Sequence, residues 1–113
     1  MEYTIYHINF LTEGLESRLL KYSEYNKKEN NNNNNNNYLV TKDDLYSKDK
    51  IILLIKNDND FIGYSYSKFI NNIIYLKVIF IKDKYKNLNI ESNVIKYLKN
   101  NISNNIIDER IKK

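Results

Sequence analysis

Between residues 50 and 81 the chain carries three apolar, β-branched stretches separated only by short polar turns, and this limits its fold more than any other feature. "KIILLIK" and "FIGYSYSKF" flank "NDND", whose Asn and Asp residues tolerate left-handed turn geometry, so 50–69 reads as a β-hairpin. "INN" turns the chain again, and "IIYLKVIFI" is a third strand. Such a block needs a layer of helices to cover its apolar faces. Two flanking segments have the right spacing. Thr12 is placed to cap a helix with Glu13 and Glu16 in its first turn, and Leu15, Leu19 and Tyr22 then recur at helical intervals to about Tyr25. Ile90, Val94, Ile95, Leu98 and Ile102 mark one face of a second helix.

The remaining segments complete the order. "YTIYHI" at 3–8 is a first strand. Thr41 and Asp44 form a capping-box-like pair, with Val40 and Leu45 at staple positions, so a short helix begins there. "NIID" at 105–108 has the character of a strand start. Residues 29–37 are read as a disordered Asn-rich insertion within a single domain spanning 1–113, because an asparagine run buries nothing that offsets its ordering entropy.

Composition closes off several functions. The chain has no Cys and a single His, His7, so neither a cysteine–zinc site nor a histidine metal site is expected. No apolar run reaches the ~20 residues of a membrane span. The opening "MEYTIYHINF" lacks the basic segment of a signal peptide, which points to a cytoplasmic protein. With a net charge of +4, the surface favours anionic partners in general but identifies none.

Two families share local text with this chain. "IYHINF" and "IGYSYSKF" loosely match the strand signatures of RNA-recognition domains, with Tyr6, Tyr64 and Tyr66 as the base-stacking platform. That order requires a helix after Phe69, where this chain has "IIYLKVIFI", so a nucleic-acid partner is the less favoured reading. The stretches "LLKYSEY", "LVTKDDL", "FIGYSYSKF" and "YLKVIFIKDKYKNLNIESNVIKYL" lie in the order found in Gcn5-related N-acetyltransferases. Within that superfamily they are most similar to the diamine (spermidine/spermine) acetyltransferases. The resemblance implies an α/β (α+β) fold with a mixed, mostly antiparallel sheet flanked by helices, in the order β-α-(α)-β-β-β-α and lacking the last strands. It also implies acetyl-CoA as cofactor and a small-molecule amine as acceptor, and it leaves a homodimer open.

By resemblance, Ile79, Phe80 and Ile81 supply backbone groups to the acetyl and pantetheine portion. The turn Lys86, Asn87, Leu88, Asn89, Ile90, Glu91 and Ser92 stands where the family grips pyrophosphate with a glycine-rich loop. Tyr22 matches a substrate-contact position and also fits a core role. Lys86 keeps the family's positive charge, and Asn87 and Asn89 replace glycines with a residue that tolerates left-handed geometry. Glu91 replaces a glycine with an anion. At ~4 Å from a phosphate and an effective dielectric of 20 to 80, that like-charge contact costs about 1–4 kcal/mol. The family's paired acidic residues fall on Lys77 and Val78, and no catalytic base is identified. A diverged enzyme of weak or absent activity and a truncated, non-catalytic interaction domain are therefore both consistent with the sequence.

Overall fold

The structure is a computed structural model and describes residues 2–29, 38–58, 60–86 and 89–110. Five strands form one sheet in sequence order: β1 (Thr4–Ile8), β2 (Lys50–Lys56), β3 (Phe61–Ile70), β4 (Ile73–Ile81) and β5 (Ile106–Asp108). The first four run antiparallel, and β5 joins β4 in parallel. A parallel neighbour needs a crossover, and helix α3 (Ile90–Asn101) provides it. This is the mixed, mostly antiparallel sheet flanked by helices expected from the sequence, with the strand at "NIID" present as β5.

Helices on the two faces cover separate cores. Ile90, Val94 and Leu98 of α3 pack with Leu53, Ile55, Leu76 and Ile79 on one face. Helix α1 (Glu13–Glu29) and the short α2 (Lys42–Leu45) cover the other, where Leu19, Val40 and Leu45 pack with Ile52, Tyr64, Tyr66 and Phe80. The local signals for these helices act as read. Leu15 N–H donates to Thr12 Oγ1 at 3.2 Å. Thr41 and Asp44 exchange the reciprocal bonds of a capping box, and Val40 and Leu45 are both buried. Helix α1 continues past Tyr25 to Glu29, consistent with the good helix formers Lys27, Lys28 and Glu29. Position 29 therefore belongs to the helix backbone, and the rest of the asparagine insertion lies outside the described residues. Residues 73–81 are strand, and Tyr64 and Tyr66 are buried, so neither the helix nor the exposed platform of an RNA-recognition domain is present. Among the described residues, no helix is long and apolar enough to cross a membrane.

One irregularity in β4 positions everything described below. Tyr66 faces Val78 while the next residue, Ser67, faces Leu76, so Lys77 is an extra residue in β4. In an unbroken strand residues 74, 76, 78 and 80 would share a face. Here Ile74 and Leu76 join Ile79 and Ile81 in the α3-side core, while Val78 and Phe80 lie in the other. The bulge at Lys77 thus reverses both the side-chain and the backbone phase of the strand.

Candidate active site

Before the bulge, β4 turns its backbone toward β5. Ile74 N–H donates to Asn105 O at 2.8 Å, and Leu76 O accepts from Glu109 N–H at 2.9 Å. After the bulge, Lys82 N–H donates to Ile62 O at 2.9 Å, on the β3 side. By the two-residue period, Phe80 also faces its backbone toward β3, and Ile79 and Ile81 turn theirs to the β5 side. The three strand residues implied by resemblance are therefore divided. Ile79 and Ile81 present backbone along the outer edge of β4, whereas the Phe80 backbone serves the β3 ladder and its ring lies in the α1-side core.

The strand leads into a 3-10 turn (Asp83–Tyr85), then Lys86, then Asn89 at the start of α3. Asn87 and Leu88 lie outside the described residues. Asn89 has φ 56°, the left-handed conformation that glycine would otherwise supply. Among the described residues no side chain caps this helix, so there the first-turn N–H groups of Ile90, Glu91 and Ser92 have no side-chain acceptor of the kind that usually meets them. Ile90 is buried and brings only its backbone to the turn, and Ser92 Oγ donates to Asn89 O at 3.3 Å. Lys86 forms an exposed pair with Asp83 at 3.0 Å, which is weak and readily exchanged.

Glu91 is not a lone anion. Its Oε1 accepts from Arg110 Nη1 at 2.8 Å, and the same guanidinium holds Asp108 through Nε and Nη2. Arg110 keeps the Asp108 carboxyl below its ordinary range, and its own pKa is raised chiefly by that bond. The sequence-based cost of Glu91 assumed an uncompensated charge, and the guanidinium from the end of β5 removes that assumption. A left-handed entry, an uncapped first turn, a cation at Lys86 and a neutralising partner for Glu91 together fit a coenzyme pyrophosphate.

A second cluster stands at the other end of this edge, on the α1 side. Glu109, the last described residue bonded to the β4 ladder, forms an ion pair with Lys77. The Lys77 ammonium also sits 5.9 Å from the centre of the Tyr38 ring. Tyr38 stacks on Tyr66 at 6.1 Å, and both anchor to Asp44: Tyr38 Oη donates to Oδ2 at 2.9 Å, and Tyr66 Oη donates to the main-chain O at 3.0 Å. Burial, followed by the hydrogen bond to Asp44, raises the Tyr38 phenol well above its usual range, so it stays protonated. Tyr22, the other resemblance-based residue, stacks on Phe61 at 4.8 Å and lies 5.2 Å from Phe80, while Lys82 covers its ring at 5.7 Å. It is an edge residue of the core. Among the described residues, no group of acidic, His or Cys side chains could hold a metal.

Glu109, Arg110 and Tyr38 were not singled out from the sequence. The only available signal was the strand at "NIID", which puts the following "ER" beside β4.

No family model matches the sequence, and no curated protein sequence is significantly similar to it. Solved structures do match. An aminoglycoside acetyltransferase from an uncultured soil metagenomic sample superposes with a TM-score of 0.69 at 14% identity, covering 96% of this chain and 80% of that one. A putative GNAT-family acetyltransferase from Staphylococcus aureus gives 0.62 at 14% identity, over 91% of this chain and 97% of that one. AAC(6')-Iy, solved with the bisubstrate analog CoA-S-monomethyl-acetylneamine, gives 0.59 at 11% identity, over 100% and 82%.

Proposed function

We propose that this chain, which has the fold of the Gcn5-related N-acetyltransferases, binds acetyl-CoA along the outer edge of β4 and transfers its acetyl group to a primary amine. The observation that carries this reading is the bulge at Lys77. It turns the backbone of Ile79 and Ile81 toward the edge that runs between the uncapped start of α3 and the Lys77–Glu109 pair.

Acetyl-CoA would supply the thioester. The first-turn N–H groups of α3 would receive its pyrophosphate, assisted by the helix dipole and by Lys86. Arg110 would hold the Glu91 carboxylate away from that charge. The Ile81 backbone N–H on the outer side of β4 would align the acyl arm and polarise its carbonyl. Glu109 is the carboxylate placed to take the proton of an incoming ammonium. The acceptor class is a small-molecule amine, in keeping with the aminoglycoside acetyltransferase among the structural neighbours. The diamine acceptor implied by local resemblance is less well served. Lys77 occupies the position of one family acid and would repel a dication.

Calorimetric titration with acetyl-CoA tests this reading. Saturable one-to-one binding is expected, together with thiol release in the presence of an amine acceptor such as neamine, and less with spermidine. Absence of heat at millimolar acetyl-CoA would overturn it and favour the non-catalytic interaction domain.

A further inference from the structure

We infer that Lys77 is itself an acetyl acceptor, so that the chain modifies its own β4 bulge. This rests on the acetyltransferase reading and adds the identity of the first amine acetylated.

The position of the ammonium carries the argument. Lys77 is the bulge residue, immediately before the edge assigned to the acyl arm. Its partner Glu109 makes the last described bond of the β4–β5 ladder, from its N–H to Leu76 O. Beyond it the bulge turns the Val78 backbone to β3, so the described β4–β5 ladder ends at Glu109. The amine and a carboxylate able to accept its proton therefore stand together at the end of the described ladder. The Tyr38 ring covers the ammonium, and Tyr38 is itself held by Asp44. Lys77 and Glu109 side chains are 23% and 38% exposed, so a ligand in the edge can reach them. A primary amine, a base and an aromatic wall are what an external acceptor would need, and this chain already fills the amine's place.

The transfer balances without another reactant. A proton passes from Lys77 Nζ to the Glu109 carboxylate. The neutral nitrogen attacks the acetyl carbonyl, the new C–N bond forms and the C–S bond breaks. The second nitrogen proton passes to the departing thiolate, leaving an amide and free coenzyme A, and Glu109 returns its proton to solvent. The product has lost its charge, so Glu109 loses its ion-pair partner and becomes available to an external ammonium.

Incubation of the purified chain with acetyl-CoA, followed by peptide mass mapping, tests this. Lys77 should gain one acetyl group faster than the exposed Lys99, at a first-order rate independent of protein concentration. Glu109→Gln should slow that labelling about 100-fold or more, the scale of a positioned base, while coenzyme binding by calorimetry persists. Acetic anhydride without coenzyme gives a separate readout. There the ion-paired Lys77 should be modified more slowly than Lys99, and the reverse order would show general reactivity and overturn the inference. Labelling of Lys77 no faster than Lys99, in a chain that binds acetyl-CoA, would overturn it while leaving the proposed function standing. Failure to bind acetyl-CoA would remove both.

Discussion

At Gly63, a Cβ built on the backbone would stand 2.0 Å from the Phe80 carbonyl oxygen, a contact that β3 and β4 cannot absorb by side-chain movement. Gly63→Ala is therefore expected to destabilise the chain by about 1–3 kcal/mol, the usual cost of overpacking, read as a lower urea midpoint. Ser65 and Ser67 present the opposite case. Both are fully buried on β3, and neither hydroxyl has a hydrogen-bond partner among the described residues. Removing an unsatisfied buried hydroxyl is favourable, so Ser67→Ala should raise stability by about 1 kcal/mol in the same assay. Loss of stability instead would mean that the hydroxyl is bonded. Neither effect is visible in "FIGYSYSKF" alone, where Gly and Ser read only as residues out of place in a strand. Their consequences depend on which neighbour each one faces.

Among the elements, the start of α3 and the end of β5 act together. Arg110→Ala would leave Glu91 uncompensated beside the proposed pyrophosphate site. Because Glu91 is half exposed, a modest loss of acetyl-CoA affinity is expected, about 3- to 10-fold. Adding Glu91→Gln to that variant should restore the affinity, and calorimetry on the two variants checks both statements. The β2–β3 turn is tied to the end of β4 in a similar way. Asp60 accepts a hydrogen bond from Tyr85 Oη and pairs with Lys84 at 3.2 Å and Lys82 at 3.4 Å. Tyr85 first, then Lys84, lower its pKa from 3.8 to about 2. A depressed carboxyl contributes stability above its unfolded pKa and loses it as pH falls through the folded value. The Asp60 contribution should thus be complete above about pH 4 and disappear toward pH 2. Asp60→Asn should flatten the decline of the urea midpoint across that window, and an unchanged decline would count against the linkage. Helices and strands of this size were legible because their apolar residues keep a period of 3.6 or 2. The bulge was not, because a lysine at position 77 of a half-buried strand carries no mark of being an extra residue.

For the whole molecule, ligand binding and stability are linked. A chain that binds acetyl-CoA at a hundredfold excess over its Kd gains about 2.7 kcal/mol, which for a domain near this size corresponds to a Tm rise of roughly 10 °C. Thermal unfolding with and without acetyl-CoA measures it, and an unchanged Tm would argue against the proposed site. The sequence by itself determined the sheet, its helical cover and the left-handed tolerance of Asn89, since each follows from local periodicity or backbone preference. Of the strand after α3 it showed only a candidate start at "NIID", and its pairing beside β4 was decided by the tertiary structure. Only the tertiary structure decided the charge balance of the site. The α3 crossover carries the chain back beside β4, so that Arg110 meets Glu91 nineteen residues away and Glu109 meets Lys77 thirty-two residues away. Ion pairs across such separations depend on parallel register and a bulge, and a linear reading of charges contains neither.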